Sequence, residues 1–456
     1  MRMAYAEQRG KKWRVKYKKP NGSWASESGF ETKKAALAWG GDQETDIRRH
    51  TWIDPAHAEE RFGTFAERVF TKARLAINTR AKYRSYLDRH ILPQWEDYPL
   101  GAIFNDYQEI EGWVKDLHEE LTEPSVASIF AYFSRILEVA VKDRKIPANP
   151  ARGVRVTSGE YVGERQVATP AQSLRAAMRL HHTFGSCGLV LALMNAYTGA
   201  RWSELVVLRP HDYDEVNRAI PVRTPLREVA GAMEVAKKPK TPAGKRWVQL
   251  PPFLDRLYTQ LIQVCEHEYL FTGPQGGLLR RGNFRQRFWR PAWDGVPVSE
   301  LSWLRGPLLA GITFNEAGRH TQRTWLAEEN VPEVARAARL GHTVVGMGRV
   351  YEHVTPEMER RVRSVLESRW ARSVGALTPR ERDRLFGRAP ILQEHYRGDS
   401  ESGLPKEPAS GMASRIPPTT GTGDTRKARS EDLALRLTCG RYRTRTCDPY
   451  RVEVVL

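Results

Sequence analysis

The chain reads as mainly α with small β-sheets, an α+β class arranged as several domains in series. Three observations lead there. Apolar residues recur at helical spacing over most of residues 62–147, and again around 189–198, 333–341 and 356–370. Strict alternation is confined to short runs, the clearest being Trp13, Val15 and Tyr17 set between Lys12, Arg14, Lys16 and Lys18. The 456 residues also exceed what one hydrophobic core usually organises, so two or three domains are expected.

In chain order, the alternating run predicts a strand with one apolar and one cationic face, extended at its start by Lys11. Pro20-Asn21-Gly22 supplies a turn and Ser23-Trp24 the start of a return strand. A helix follows from Thr32, with Ala35, Ala36, Trp39 and Ile47 facing inward. These residues, 1–55, form one expected domain. A linker opens at Trp52, and residues 60–155 read as a helical domain. There Arg80, Lys82, Arg84 and Arg89 surround the aromatic stripe of Tyr83 and Tyr86, which reads as core. A third domain, mixed α/β, spans 165–372. Its apolar helix Leu189–Thr198 ends at Gly199, and Arg201 opens the next helix with Glu204 at i+3 to brace it. Residues 233–236 and 246–250 read as two strands joined by a Lys- and Pro-rich hairpin, 237–245. Pro332 and Gly341 bound a helix that delivers His342 from its end, and Thr355-Pro356 caps a last helix. Residues 373–456 read as a disordered basic tail, rich in Gly, Ser, Pro and Thr between 398 and 430.

Composition narrows the function. Lys and Arg total 72 against 54 Asp and Glu, a formal charge of +18 and a pI near 9.8, which suits a polyanionic partner. No apolar run reaches about 18 residues and the N-terminus lacks a signal-peptide core, so a soluble, cytoplasmic protein is expected. Cys187, Cys265, Cys439 and Cys447 lack Cys-x-x-Cys spacing, and no metal-ligand pattern of histidines and carboxylates appears, so neither a disulfide framework nor a zinc or other metal site is expected.

The chemistry concentrates between residues 198 and 353. Arg201, Arg319, His342 and Tyr351 are the groups that metal-free phosphoryl transfer needs: a nucleophilic oxygen, and cations for the charge that grows on phosphate. Thr198-Gly-Ala-Arg201-x-x-Glu204, Lys240-Thr241, Arg319-His320-Thr, Leu340-Gly-His342 and Tyr351-x-His353, in this order, resemble the signature series of tyrosine recombinases, the phage integrase family. The resemblance covers about residues 1–372. It implies an arm-type DNA-binding domain at 1–55, with Lys11, Lys12, Arg14, Lys16 and Lys18 facing DNA. A core-binding helical domain follows, with Arg80, Lys82 and Arg84 as contacts, and then a catalytic domain of tyrosine recombinase type.

The resemblance further implies Tyr351 as nucleophile, Arg201 and Arg319 on the phosphate, His342 as hydrogen-bonding partner or proton acceptor, and Lys240 as the acid for the leaving oxygen. Lys237, Lys238 and Lys245 compete with Lys240. His320-Thr-Gln-Arg323 offers a rival register, but Arg319 lies 32 residues before Tyr351 and Arg323 only 28, and the longer interval matches the family. Glu316 then occupies a position where the family shows His or Lys, and a carboxylate there is expected to brace Arg319 or Lys240. His320 is the histidine that commonly follows the arginine.

The implied partners are double-stranded attachment sites, a homotetramer assembled on DNA, an excisionase and a host DNA-bending protein, with no cofactor and no membrane. A type IB topoisomerase shares the chemistry but needs no arm, and a catalytically inactive DNA-binding regulator needs no intact Arg201, Arg319, His342 and Tyr351 set. The run Arg443-Thr444-Arg445-Thr446 has a separate reading. CGG-ACT-CGA-ACC encodes it and is the complement of a tRNA T-arm, and elements of this family often insert into tRNA genes.

Overall fold

The computed structural model describes residues 4–157, 165–229, 231–236, 244–273, 275–342 and 353–402. The chain divides into two compact units, Met1–Gly163 and Glu164–Leu456.

In the first unit β1 (Tyr5–Arg9), β2 (Lys12–Lys18) and β3 (Trp24–Phe30) form an antiparallel sheet in that order. Strand β1 escapes sequence reading because its inward side chains, Ala6 and Gln8, are too small or too polar to mark a buried face. Helix α1 (Lys33–Arg49) starts at Thr32, whose hydroxyl accepts from the Ala35 N–H at 3.1 Å. It covers the Val15–Tyr17 face of the sheet, with Ala36 fully buried and the Trp39 ring edge-on to Tyr17 at 5.5 Å. Ala35, expected to face inward, is exposed, since the cap places it on the outer side of the first turn.

The helical part of this unit is built from α2 (Phe62–Lys72), α3 (Ile77–Tyr86), α4 (Tyr107–Glu120) and α5 (Glu123–Lys142). Phe133 sits at its centre, 4.9 to 5.4 Å from the rings of Phe62, Trp95 and Trp113. Tyr83 stacks on Tyr132 at 3.8 Å. Helix α5 is long and apolar enough to cross a membrane, but Ile129, Phe133, Ile136 and Leu137 are buried in this core. Asn149 closes the unit, donating to the Ser134 carbonyl at 3.0 Å and accepting from the Ala151 N–H at 3.0 Å.

The second unit is organised around α6 (Pro170–Thr198), which bends at Gly185, where φ is 66°. The short helix α7 (Trp202–Leu205) follows at once. Strands β4 (Ala219–Val222), β5 (Leu226–Val229), β6 (Ala232–Val235) and β7 (Arg246–Gln249) make two separate ribbons, β4 with β7 and β5 with β6. The expected hairpin of β6 on β7 is therefore corrected. Local alternation identified both strands but carries no information on which neighbour each one pairs with. Then come α8 (Pro252–Gln263), α9 (Thr321–Glu328), α10 (Glu333–Leu340), stopped by Gly341 at φ 64°, and α11 (Pro356–Gly375).

The boundary at 373 is also corrected. Beyond α11, α12 (Pro379–Arg388) and α13 (Pro390–Ser402) pack on the same core, with Leu385 and Leu392 fully buried. Thr378 and Glu381 form a capping box, and Arg175 on α6 donates to Glu381 at 2.7 Å. His395 meets Glu367 of α11 at 2.5 Å, and Phe253 stacks on Trp370 at 4.7 Å. The charged surface of this stretch hides a narrow apolar stripe, which is why composition alone suggested a tail. Residues 403–456 lie outside the described residues.

Candidate active site

Three loop-to-helix junctions converge on one spot. At the end of α6 the chain turns through Gly199, with φ 63°. A Cβ there would fall 2.5 Å from both Gln322 Oε1 and Leu340 Cδ2, so only glycine fits the turn. Two residues on, Arg201 caps α7; its backbone N–H donates to Glu204 Oε2 at 2.9 Å and its Nη1 to Oε1 at 2.9 Å. At the second junction residues Glu316–His320 form a widened, π-type turn with Arg319 buried. Gly318 makes this turn possible by lying against α6, where a Cβ would come 2.0 Å from Asn195 Oδ1. At the third, His342 leaves α10 after Gly341.

Arg319 ties the three together. Its Nε donates to His342 Nε2 at 3.2 Å, its Nη1 to the Gly199 carbonyl at 3.3 Å, and its Nη2 to the Leu340 carbonyl. All three acceptors are neutral. Arg201, by contrast, shares Glu204 with Arg246 of β7, whose Nη2 lies 3.1 Å from Oε2. Arg246 is itself held by the Arg339 carbonyl at 2.7 Å. So two arginines share one carboxylate, and the third has no carboxylate bonded to it among the described residues.

The electrostatics follow from that shortage of negative charge. Burial, then the neighbouring Arg201 and Arg246, lower the Arg319 pKa to about 9, so it stays charged at neutral pH but in a repulsive field. Burial, then Arg319 and Arg201, push His342 down to about 4, leaving a neutral imidazole. Burial pushes the Glu204 carboxyl up, but Arg246 and the Arg201 N–H outweigh it and keep the group ionised. The Arg201 side chain is 44% exposed. The cluster is thus an anion site with an open side, able to take the non-bridging oxygens of a phosphodiester.

The remaining expected residues are placed as follows. Tyr351 and Lys240 lie outside the described residues, as do Lys237 and Lys238. Arg323 pairs with Glu333 at the surface, near enough for its charge to add to the repulsion felt by Arg319 and His342. Glu316 does not brace Arg319: its Oε2 accepts from the Thr313 N–H at 2.9 Å and from the Thr313 hydroxyl at 2.7 Å, fixing the entry into the π-type turn. The Arg319 half of that expectation is corrected, because a threonine three residues earlier offers a local capping partner that the interval to Arg319 could not reveal, while the Lys240 half falls outside the described residues. His320 sits 2.9 Å from Arg165 Nη1. Arg246 was missed; its alternation within β7 marked it only as a strand residue, and nothing local shows that its partner lies 42 residues earlier.

Away from this cluster, Lys11, Lys12 and Lys18 are exposed on the N-terminal sheet, while Arg14 and Lys16 lie against Glu7. In the helical part Arg80 donates to the Ala73 carbonyl at 2.9 Å, Lys82 lies over the Tyr86 ring, and Arg84 pairs with Glu67 and Asp88.

No protein-family profile matches the chain. Over 364 residues it is 24% identical to a protein provisionally named as the prophage phiRv2 integrase of Mycobacterium tuberculosis, covering 78% of this chain and 92% of that one. Over 194 residues it is 26% identical to a probable integrase of prophage ps2 from Lactococcus lactis subsp. lactis, covering 40% and 48%. The integrase of the Tn1549 transposon, solved with transposon right-end DNA, superposes with a TM-score of 0.51 at 18% identity, over 66% of this chain and 98% of that one. The last likeness is one of fold, and the relatives, at 24% and 26% identity, are both named as prophage integrases.

Proposed function

We propose that this chain is a site-specific DNA recombinase that integrates and excises a mobile element through a 3′-phosphotyrosyl intermediate. One observation carries the reading: Arg319 is buried with only neutral hydrogen-bond acceptors, beside an Arg201 already fixed by Glu204. A phosphate entering this spot supplies the missing negative charge. Tyr351 Oη attacks the phosphorus in line, the P–O5′ bond breaks, and the two arginines hold the non-bridging oxygens, each worth about 3 kcal/mol in the transition state. Lys240 gives its proton to the departing 5′ oxygen. His342 hydrogen-bonds the phosphate or assists removal of the tyrosine proton, the second role requiring its Nε2 to be released by Arg319. The covalent link conserves the phosphodiester energy, so the 5′-hydroxyl of a partner duplex reverses the step without ATP.

The remaining parts of the proposal are the arm-type domain at 1–55, the core-binding domain at 60–155, a homotetramer on paired attachment sites, an excisionase and a host DNA-bending protein, and a place of action in the cytoplasm on the nucleoid. The test is a suicide duplex nicked beside the core site. The unaltered chain accumulates a covalent protein–DNA adduct, and Tyr351→Phe binds the duplex but forms none. An adduct formed by the Phe variant places the nucleophile elsewhere.

A further inference from the structure

The outward face of the N-terminal sheet carries a feature that phosphate binding does not account for. Strand register lines up Tyr5 with Lys16, and Glu7 with Arg14, while Trp24 stands across from Lys18 on the third strand. All these side chains leave the side of the sheet opposite the buried Val15 and Tyr17. Glu7 therefore sits in the middle of a cationic surface, where a carboxylate repels phosphates. Its contacts are lopsided. Arg14 Nε donates to Oε1 at 2.7 Å, and Lys16 Nζ and Arg9 Nε stand 3.5 and 3.8 Å from the same oxygen. Among the described residues no hydrogen bond or ion pair reaches Oε2. Beside this group Tyr5 and Trp24 are 46% and 54% exposed, packed edge to face at 5.6 Å. The Arg14 and Glu7 side chains are 21% and 32% exposed, and an ion pair this open to solvent adds little to stability, so the arrangement is not explained as a fold device.

We propose that Glu7 is a base-reading residue, which accepts a hydrogen bond from the exocyclic amine of cytosine in the major groove of the arm-type DNA. The inference rests on the reading of the chain as a recombinase whose N-terminal sheet binds DNA. The major groove admits a β-ribbon, and cytosine presents there an N4 amine donor, whereas thymine and guanine present O4 and O6 acceptors that a carboxylate repels. Adenine offers an amine too, but its N7 acceptor lies alongside. Arg14, held through its Nε by Glu7, keeps Nη1 for the O6 or N7 of a guanine, so one C·G pair satisfies both residues. The Tyr5–Trp24 pair offers the adjoining base step an apolar surface of the kind that favours a thymine methyl. Lys12 and Lys18 flank this centre and serve the phosphates.

The experiment is selection from a randomised duplex pool by the full chain and its variants, with base preferences read position by position outside the core site. The unaltered chain enriches a C·G pair at one position by about tenfold over its competitors. Glu7→Gln moves that preference to A·T, since glutamine pairs with adenine N6 and N7, and Glu7→Ala levels it. If Glu7→Gln and Glu7→Ala select the same bases as the unaltered chain, Glu7 is only an ion-pair partner and the proposal fails. If Lys12→Ala with Lys18→Ala leaves binding to every duplex unchanged, the DNA-binding role of the sheet itself falls, and the proposal with it.

Discussion

Two arginines, Arg14 on the N-terminal sheet and Arg319 in the second unit, show how differently one side chain is used. The Arg14 guanidinium is partly exposed and addressed by a carboxylate, and that partner is held below the ordinary range by the arginine's own hydrogen bond. Arg319 is 4% exposed and has an imidazole and two carbonyls instead. Around Arg14 the charge is balanced locally and solvent screens what is left, which suits the docking role proposed for this face. Around Arg319 the charge is held in reserve, fixed by the turn at Gly318, so that under the proposed function nothing needs to reorganise when a phosphorane forms. Cationic content does not separate these roles; burial and the chemical type of the acceptor do.

The comparison is broken most directly by the pair Arg319 and Arg323, four residues apart. Arg319→Ala should lower the rate of adduct formation on a suicide duplex by about 10²–10³-fold, the cost of losing one transition-state donor. Arg323→Ala removes a surface ion pair with Glu333 and should change the rate by no more than about twofold. Equal losses would put the wrong arginine on the phosphate.

Next in size is Glu204→Gln. Glu204 and Arg246 side chains are 8% and 7% exposed, so removing the carboxylate leaves Arg246 buried without its partner and should cost about 3–5 kcal/mol of unfolding free energy at pH 7. Because the folded pKa of Glu204 lies below the usual carboxylate value, its contribution is present above that value and is lost as pH falls through the folded one. The variant should therefore show a flatter acid limb in denaturant titrations. The more solvent-open counterpart, Glu7→Gln, should move the midpoint little. A Glu204→Gln midpoint equal to that of the unaltered chain would show that the shared carboxylate is dispensable.

A smaller effect is spectroscopic. His342 is pushed down to about 4, below its ordinary value near 6.5, so protons favour the unfolded chain. The stabilisation that comes from keeping this ring neutral is complete above about pH 6.5 and declines as pH falls from there toward 4. The His342 imidazole nitrogen shifts of the DNA-free protein should stay in the neutral form from pH 7.5 to 5.5. Titration of His342 near 6.5 would mean that Arg319 does not face it with its charge. On the sheet, Lys12→Ala and Lys18→Ala should each lower the salt slope of DNA binding by about 0.9, while leaving adduct formation on a core duplex unchanged.

What the sequence made legible was what local pattern can encode. The Thr198–Glu204 junction, with its glycine turn and i+3 carboxylate, and the Pro332–Gly341 bounds of α10 follow from end chemistry that needs no tertiary partner. The strand β2 alternation located the N-terminal sheet. What stayed hidden depends on distant partners. Arg246 acquires meaning only from Glu204, β6 and β7 chose neighbours other than each other, and α12 and α13 look polar until Leu385 and Leu392 find the core. Glu316 was misread for the opposite reason, since its partner was nearer than the one supposed.

The smallest expected effect concerns cations that belong to neither kind. Arg441, Arg443 and Arg445 alternate with Tyr442, Thr444 and Thr446, followed by Cys447-Asp448-Pro449, with no periodic apolar face for a strand or helix to bury. Basic charge here has no sequence pattern aiming it at a groove or a phosphate. The codon reading offers a different account, in which the run would be the antisense of a tRNA T-arm, retained for its DNA as part of the attachment core. Truncation near residue 435 lies beyond Ser402, where α13 ends, and should leave both adduct formation and recombination on supplied attachment sites at the level of the full chain. Sequencing the codons for 443–446 checks the premise, which requires a T-arm complement with its matching stem. A truncated chain that cleaves normally but no longer recombines would give these arginines a role in assembly and end the codon account.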